Sequence, residues 1–290
     1  MKGGSKLGTV KGVMKTTVAV HDLSCHAKSS LTVVIPALSA LGIEASVLPT
    51  ALLSTQTDGF EHYSYLDLTS QMEDILAHWE KLELSFDAMY SGFLGSEQQI
   101  EIVLRLMEDQ RTLAHPFLAI VDPVLGDQGK PYGPVSPQLV KRMGLLVSQA
   151  DVITPNITEA ALLLGKSYNE HMSVDQAKEW AQQLSALGPR YVAITSIMEK
   201  QHGVTVAYDN VLQKTEIYRQ QYVPISYPGC GDLFASIVCG LMVNGTSFAS
   251  AVDQGGALVR LAVERSYQAQ IPQRMGVAVE LIMKELCCAL

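Results

Sequence analysis

Short apolar runs alternate with longer amphipathic stretches along most of this chain. That is the pattern of a mostly parallel sheet sheathed in helices. Residues 16–20, 45–48, 86–90, 117–121, 152–154 and 191–195 are rich in apolar and β-branched side chains, and read as buried strands. Between them, 31–41 reads as a helix that Gly42 stops. The stretch 68–82 puts Ile75, Leu76 and Trp79 on one helical face. Ser96 fits an N-cap for a helix reaching about Arg111. Two further runs, 203–208 and 212–218, are separated by Asp209, Asn210 and Val211. That polar break predicts a hairpin and an antiparallel far edge. Beyond Gly231 the pattern turns helical, at 233–243, 248–267 and 277–286.

The 290 residues suit one large α/β domain or two small ones, and 48% are hydrophobic, enough for a sizeable core. No repeat or low-complexity linker divides them. The expectation is therefore one three-layer α/β/α domain over 14–290. Residues 1–13 are rich in Lys and Gly, lack the apolar stretch of a signal peptide, and read as a disordered extension or an appended tail. A formal net charge of −8 speaks against a nucleic-acid partner, which needs clustered Lys and Arg. No apolar run reaches the roughly 18–20 residues of a membrane span. The five cysteines form no C-x-x-C pair and fit the reduced thiols of a cytoplasmic protein. The seven histidines show no zinc-binding spacing.

Chemistry concentrates in a few segments. In GCGDLFAS (229–236), two glycines flank one small residue, an acid follows, and a helix begins. Glycines let bare N–H groups approach a ligand, and a helix start adds orphan donors and positive potential. Together they make an anion hole, with Asp232 placed to take a proton from a hydroxyl. A glycine turn with an Asp cap would look the same in isolation. VDPVLGD (121–127) sets Asp122 and Asp127 directly after a buried strand, where ligands bind in open α/β sheets. ADVITPNITEAALLLG (150–165) repeats the arrangement, with Asn156 and Glu159 on one face of a helical turn. An amide and a carboxylate there suit hydrated Mg²⁺, although plain capping would use the same pair. VAITS (192–196) brings the Thr195 and Ser196 hydroxyls to the same edge.

These blocks, with VLPTALLST (47–55) and SGFLG (91–95), resemble the pyridoxal kinase group of the ribokinase-like superfamily, over about 16–263. The resemblance implies a ribokinase-like sandwich. It also implies transfer of the γ-phosphate of ATP to the hydroxymethyl group of a vitamin B6 compound: pyridoxal, pyridoxine or pyridoxamine. By the same resemblance, Asp232 is the catalytic base, and Gly229, Cys230 and Gly231 form the anion hole. Asp122 and Asp127 sit beside phosphates and cations, while Asn156 and Glu159 organise Mg²⁺ through water. Asp122 and Glu159 are the acids on the metal side. Thr154, Thr195 and Ser196 lie near phosphates or a monovalent cation such as K⁺. Tyr132 belongs to a mobile flap, 128–133, over ATP. Asp22, Thr57 and Phe93 face the vitamer. A homodimer is implied as well. The chain has neither G-x-x-x-x-G-K-[ST] nor the protein-kinase set, so other kinase classes lose weight.

The sequence also departs from that family. In HDLSCHAK (21–28), Cys25 and Ala27 stand where relatives carry glycines. Cys230 stands where Thr is common, a lost hydrogen bond of about 1 kcal/mol. At a helix start its thiol is expected to have a lowered pKa and could add to the aldehyde of pyridoxal. Gln56 could read a pyrimidine edge, which keeps a hydroxymethylpyrimidine kinase open. The altered early loop is the only support for a weakly catalytic pyridoxal-phosphate-binding protein. A sugar kinase of the same superfamily would need an early lid of strands, and no such insertion is visible.

Overall fold

A computed structural model describes residues 14–113 and 116–289; the expectation for 1–13 lies outside the described residues. In chain order the strands are β1 (Lys15–Ser24), β2 (Ile43–Leu53), β3 (Tyr65–Asp67), β4 (Ala88–Ser91), β5 (Leu118–Val121), β6 (Gly126–Asp127), β7 (Lys130–Pro131), β8 (Val152–Ile153), β9 (Tyr191–Glu199), β10 (His202–Asp209) and β11 (Lys214–Gln221). The helices are α1 (Leu31–Ala40), α2 (Thr69–Lys81), α3 (Glu97–Thr112), α4 (Pro137–Gln149), α5 (Ile157–Leu164), α6 (Val174–Ser185), α7 (Cys230–Val243), α8 (Phe248–Gln268) and α9 (Met283–Cys287).

Nine strands form one sheet in the order β11-β10-β9-β8-β5-β4-β1-β2-β3, and β6 and β7 make a separate ribbon. The strands from β2 through β9 run parallel, as their all-apolar runs require. Successive side chains go to opposite faces. Val18, Met89, Val121, Ile153 and Val192 pack with α3, α4 and α6. Ala19, Tyr90, Ile120, Val152 and Ala193 pack with α1, α7 and α8. The chain thus folds as the three-layer α/β/α sandwich expected. The helices that follow the neighbouring strands β1 and β4 lie on opposite faces, α1 on one and α3 on the other. Their strand ends therefore open a crevice, the place where such sheets bind ligands.

The antiparallel far edge is as expected, with β11 paired to β10, and β3 adds a second antiparallel edge by pairing with β2. Three other expectations need revision. The polar break in the far hairpin is longer than read: the Asp209 carboxylate accepts the amides of Val211 and Leu212 and delays β11 to Lys214. The 277–286 stretch is not one helix. A 3₁₀ turn, Val279–Ile282, leads into the short α9 instead. Ser266 Oγ holds the amide of Ala278 at 3.0 Å, and Val277, Val279, Ile282 and Leu286 are buried against α1 and α8, so tertiary anchoring overrides helical spacing. Finally, the 128–133 flap takes in the β6–β7 ribbon, which is pinned where Gly129 N–H donates to Thr158 Oγ1 at 2.9 Å.

The glycine-poor loop keeps a glycine-like shape. Ala27 has φ 67° and Ser30 φ 48°. A side chain in that region costs about 1–2 kcal/mol, against about 0.5–1 kcal/mol of extra chain entropy for glycine. We expect Ala27→Gly to raise stability by up to about 1 kcal/mol. Urea unfolding should show a higher midpoint at unchanged slope; an unchanged or lower midpoint would count against strain at Ala27.

Candidate active site

Gly229 opens α7 at φ 83°, a conformation that favours glycine, and a Cβ there would lie 3.1 Å from the carbonyl oxygen of Lys28. The turn leaves the amides of Cys230, Gly231 and Asp232 without a main-chain acceptor among the described residues. Gly231 faces the second acidic segment: a Cβ built on it would sit 3.7 Å from Asp122 Oδ2. Asp232 Oδ2 accepts the amide of Ser30 at 2.8 Å. Its Oδ1 lies 3.9 Å from His21 Nδ1. Burial pushes the Asp232 carboxyl up to about 6, the Ser30 N–H pulls it back, and the charge of Asp22 adds to the rise. His21 is wholly buried and pushed down to about 3, so it is neutral.

The two strand-end acids form a second group. Asp122 and Glu159 are buried, and burial raises both; the charge of Asp232 raises Asp122 further, and that of Asp122 raises Glu159 further. The Thr154 hydroxyl beside Asp122 offsets this in part. Asn156 and Glu159 make a full capping box at the start of α5. Glu159 Oε2 accepts the Asn156 amide at 2.8 Å, and Oε1 accepts Leu125 N–H at 3.2 Å. Asn156 Nδ2 donates to Gly126 O at 2.8 Å. The pair therefore ties the 121–127 loop to α5. Asp127 is exposed at the rim, its Oδ1 accepting Gln128 N–H. The Tyr132 phenol, directly after β7, is raised by burial and then by Glu159, Asp127, Asp122 and Asp232, although the residue as a whole is exposed.

A cleft of about 220 Å³ lies between β9–β11 and α7–α8. Thr195, Ser196, Cys230 and Gly231 line it on one hand, and Gln220, Tyr222, Gly256 and Arg260 on the other. The Cys230 thiol is pushed up to about 12, first by burial and further by Asp232. This corrects the expected thiolate: desolvation outweighs the pull of the helix start.

On the other side of Asp232, Asp22 Oδ1 accepts Ser30 Oγ–H at 2.5 Å, and Ser24 Oγ donates to Oδ2 at 3.4 Å. Thr50 Oγ1 donates to Phe93 O at 3.1 Å and fixes the 91–95 loop. The Tyr65 phenol reaches this loop, and its pKa is raised by burial, Asp67 and Asp22. Nothing in the sequence marked Tyr65, His21 or Ser30 as part of the site. Thr57 stands apart, exposed on the turn that follows Gln56, with no hydrogen bond to the carboxylates among the described residues. Gln56 is committed to the turn itself. Its Nε2 donates to Asp58 O and Arg274 O, and its Oε1 accepts Asp58 N–H.

The profile of the phosphomethylpyrimidine kinase family matches residues 35–276. The chain belongs to this family. Its members are phosphotransferases that act on an alcohol group. A pyridoxine/pyridoxal/pyridoxamine kinase of Bordetella avium is 29% identical over 276 residues, covering 92% of this chain and 88% of that one. A candidate phosphomethylpyrimidine kinase of Bacteroides thetaiotaomicron, crystallised with pyridoxal, superposes with a TM-score of 0.89 at 38% identity, covering 94% and 96% of the two chains. The pyridoxal kinase of Lactobacillus plantarum superposes at 0.87 with 29% identity, covering 95% and 98%. The chain is thus a family kinase with pyridoxal kinases among its relatives, in keeping with the resemblance in its motifs.

Gly92 gives this geometry a direct test. A Cβ on Gly92 would fall 2.3 Å from His21 Nδ1, inside a ring with no room to retreat. We expect Gly92→Ala to cost about 1–3 kcal/mol of stability and to lower turnover as His21 is displaced beside Asp232. Denaturant midpoints and initial rates measure both; parent-like values for the two would show that the ring yields freely.

Proposed function

We propose that the chain transfers the γ-phosphate of ATP to the hydroxymethyl group of a vitamin B6 compound. The observation that carries this is the meeting, at the start of α7, of three amides that have no main-chain acceptor among the described residues with a half-buried carboxylate that is raised but still ionised at neutral pH. The Bordetella relative and the pyridoxal-bound Bacteroides structure favour a B6 compound as acceptor.

In this reading the nucleotide lies along the cleft lined by Gln220 and Arg260, with its phosphates toward Thr195, Ser196 and the amides of 230–232. The acceptor lies on the Asp22, Tyr65 and Phe93 side. Asp232 takes the hydroxyl proton as the oxygen bonds to the γ-phosphorus. The bond to the β–γ bridging oxygen breaks and ADP leaves. The amides neutralise charge on the transferring group, the main requirement of such a reaction. Tyr132 and the β6–β7 ribbon cover the acids and exclude water.

A divalent cation fits Asp122 and Glu159, two buried acids that repel each other and have no cationic partner among the described residues. Both Glu159 oxygens already accept an amide, so it would hold Mg²⁺ through water, with Asp122 nearer the ion. Mg²⁺ would supply charge neutralisation of the phosphates. K⁺ near Thr154, Thr195 and Ser196, a homodimer and a cytoplasmic location rest on the family resemblance alone.

The second reading is a hydroxymethylpyrimidine acceptor, which the family's own description favours. Gln56 was its support in the sequence, and that side chain has spent both amide protons on the turn. A screen of ATP consumption with pyridoxal, pyridoxine, pyridoxamine and hydroxymethylpyrimidine separates the two; turnover confined to the pyrimidine would overturn the B6 proposal.

We expect Asp232→Asn to lower turnover about 10²–10⁴-fold with ATP affinity retained. Because burial raises this carboxyl to about 6, activity in the parent should fall as pH drops through about 6 and the base becomes protonated. Turnover within threefold of parent in Asp232→Asn, read beside calorimetric ATP binding, would sink the assignment.

A neutral Cys230 thiol implies a further outcome. Cys230→Ala should change pyridoxal and pyridoxine turnover by the same factor, since an uncharged thiol is a poor nucleophile toward the aldehyde. A loss confined to pyridoxal would restore the hemithioacetal.

A further inference from the structure

Ser30 occupies a conformation, φ 48° and ψ −129°, that side-chain-bearing residues avoid. Such backbone costs on the order of 1–3 kcal/mol and persists only where its surroundings over-determine it. Ser30 stands at the N-cap of α1, yet its side chain makes no capping bond. Its hydroxyl donates to Asp22 Oδ1 at 2.5 Å instead, and its amide donates to Asp232 Oδ2 at 2.8 Å. No other acceptor for that amide exists among the described residues. The residue is buried, and the loop before it is locked to the start of α7 by the close approach of Gly229 to Lys28 O. One side chain and one amide thus bridge two acids 210 positions apart in sequence (Asp22 and Asp232).

We propose that Ser30 is a positioning residue: its hydroxyl, held by Asp22, keeps the backbone in this shape, and that backbone aims the Asp232 carboxylate at the acceptor hydroxyl. A carboxylate with neither oxygen tethered turns about its last torsion. The Ser30 amide tethers Oδ2, which leaves Oδ1 in one place, 3.9 Å from His21 Nδ1 and free to meet a proton. This inference rests on Asp232 being the base.

Steady-state kinetics with pyridoxal and ATP test it in Ser30→Ala and Ser30→Gly. Both lose the hydroxyl, but only glycine adopts the required backbone freely. Ser30→Ala should lower kcat about tenfold or more, below the full 10²–10⁴-fold worth of a base, with KM for ATP within about twofold. Ser30→Gly should recover most of that loss. Equal kcat in the two variants, or a loss carried wholly by KM, overturns the inference. Asp232→Asn, measured alongside, keeps the two readings apart. Full turnover there removes the base and the role of Ser30 with it. An inactive Asp232→Asn beside equal Ser30 variants removes the role of Ser30 alone. If Ser30→Ala does not fold, hydrogen exchange at the Ser30 amide decides. It should be protected in the parent and in Asp232→Asn, which keeps an acceptor, and should exchange about tenfold faster or more in Asp232→Ala. The same rate in all three overturns the inference.

Discussion

Four carboxylates, Asp22, Asp122, Glu159 and Asp232, are drawn into one crevice without an Arg or Lys bonded to any of them among the described residues. Burial raises all four, and three are raised further by a neighbouring acid: Asp122 by Asp232, Glu159 by Asp122, and Asp232 by Asp22. Such crowding persists because backbone donors hold two of the acids at fixed points. Glu159 is gripped by two amides and Asp232 by one. Seen this way, the fold is a device for holding negative charge still. The parallel strands deliver the acids to one edge, and the helix starts supply the amides.

The same constraint accounts for the strained loop. To reach Asp232, the chain leaving β1 must turn sharply beneath α7, and it does so with Ala27 and Ser30 at positive φ. Relatives with glycine there would make the turn at lower cost. This chain instead binds the turn through the Ser30 bridge, the Lys28 amide to Met275 O at 2.9 Å, and the Lys28–Glu280 ion pair at 2.5 Å. The irregular C-terminal segment is therefore part of the site's support. That is also why its apolar positions are buried without forming the regular helix their spacing suggested.

Much of this was legible in the residues, for physical reasons. Strands buried on both faces read as unbroken apolar runs, so the parallel core could be placed. A glycine-flanked helix start and strand-end acids are local signals, so GCGD, VDPVLGD and the Asn156–Glu159 pair could be found together. What stayed hidden was long-range. The bridge from Ser30 spans two acids at opposite ends of the chain, and Ser30 itself looks like any Ser before an apolar helix. His21 carries no spacing signal, and Tyr65 sits on a three-residue edge strand too short to show periodicity. Cys230 was misread because a helix start is local while the burial that opposes it is not. Thr57 was placed by motif alignment, and the turn held by Gln56 leaves it outside the cluster.

Charge held this way weakens the folded state. The Asp232 carboxyl rises from 3.8 to about 6, so its charged form is disfavoured in the folded state relative to the unfolded chain. At about 1.4 kcal/mol per unit this is on the order of 3 kcal/mol at neutral pH, and it is recovered as pH falls through 6 toward 4. Asp22, Asp122 and Glu159 shift in the same direction. The folded chain therefore binds more protons than the unfolded one across this window, the reverse of a protein stabilised by ion-paired acids. Anything that brings positive charge to Asp122 and Glu159 removes part of that penalty and stabilises the fold by mass action. The crowding that makes these groups useful to a transferring phosphate thus couples the stability of the chain to occupancy of its cleft.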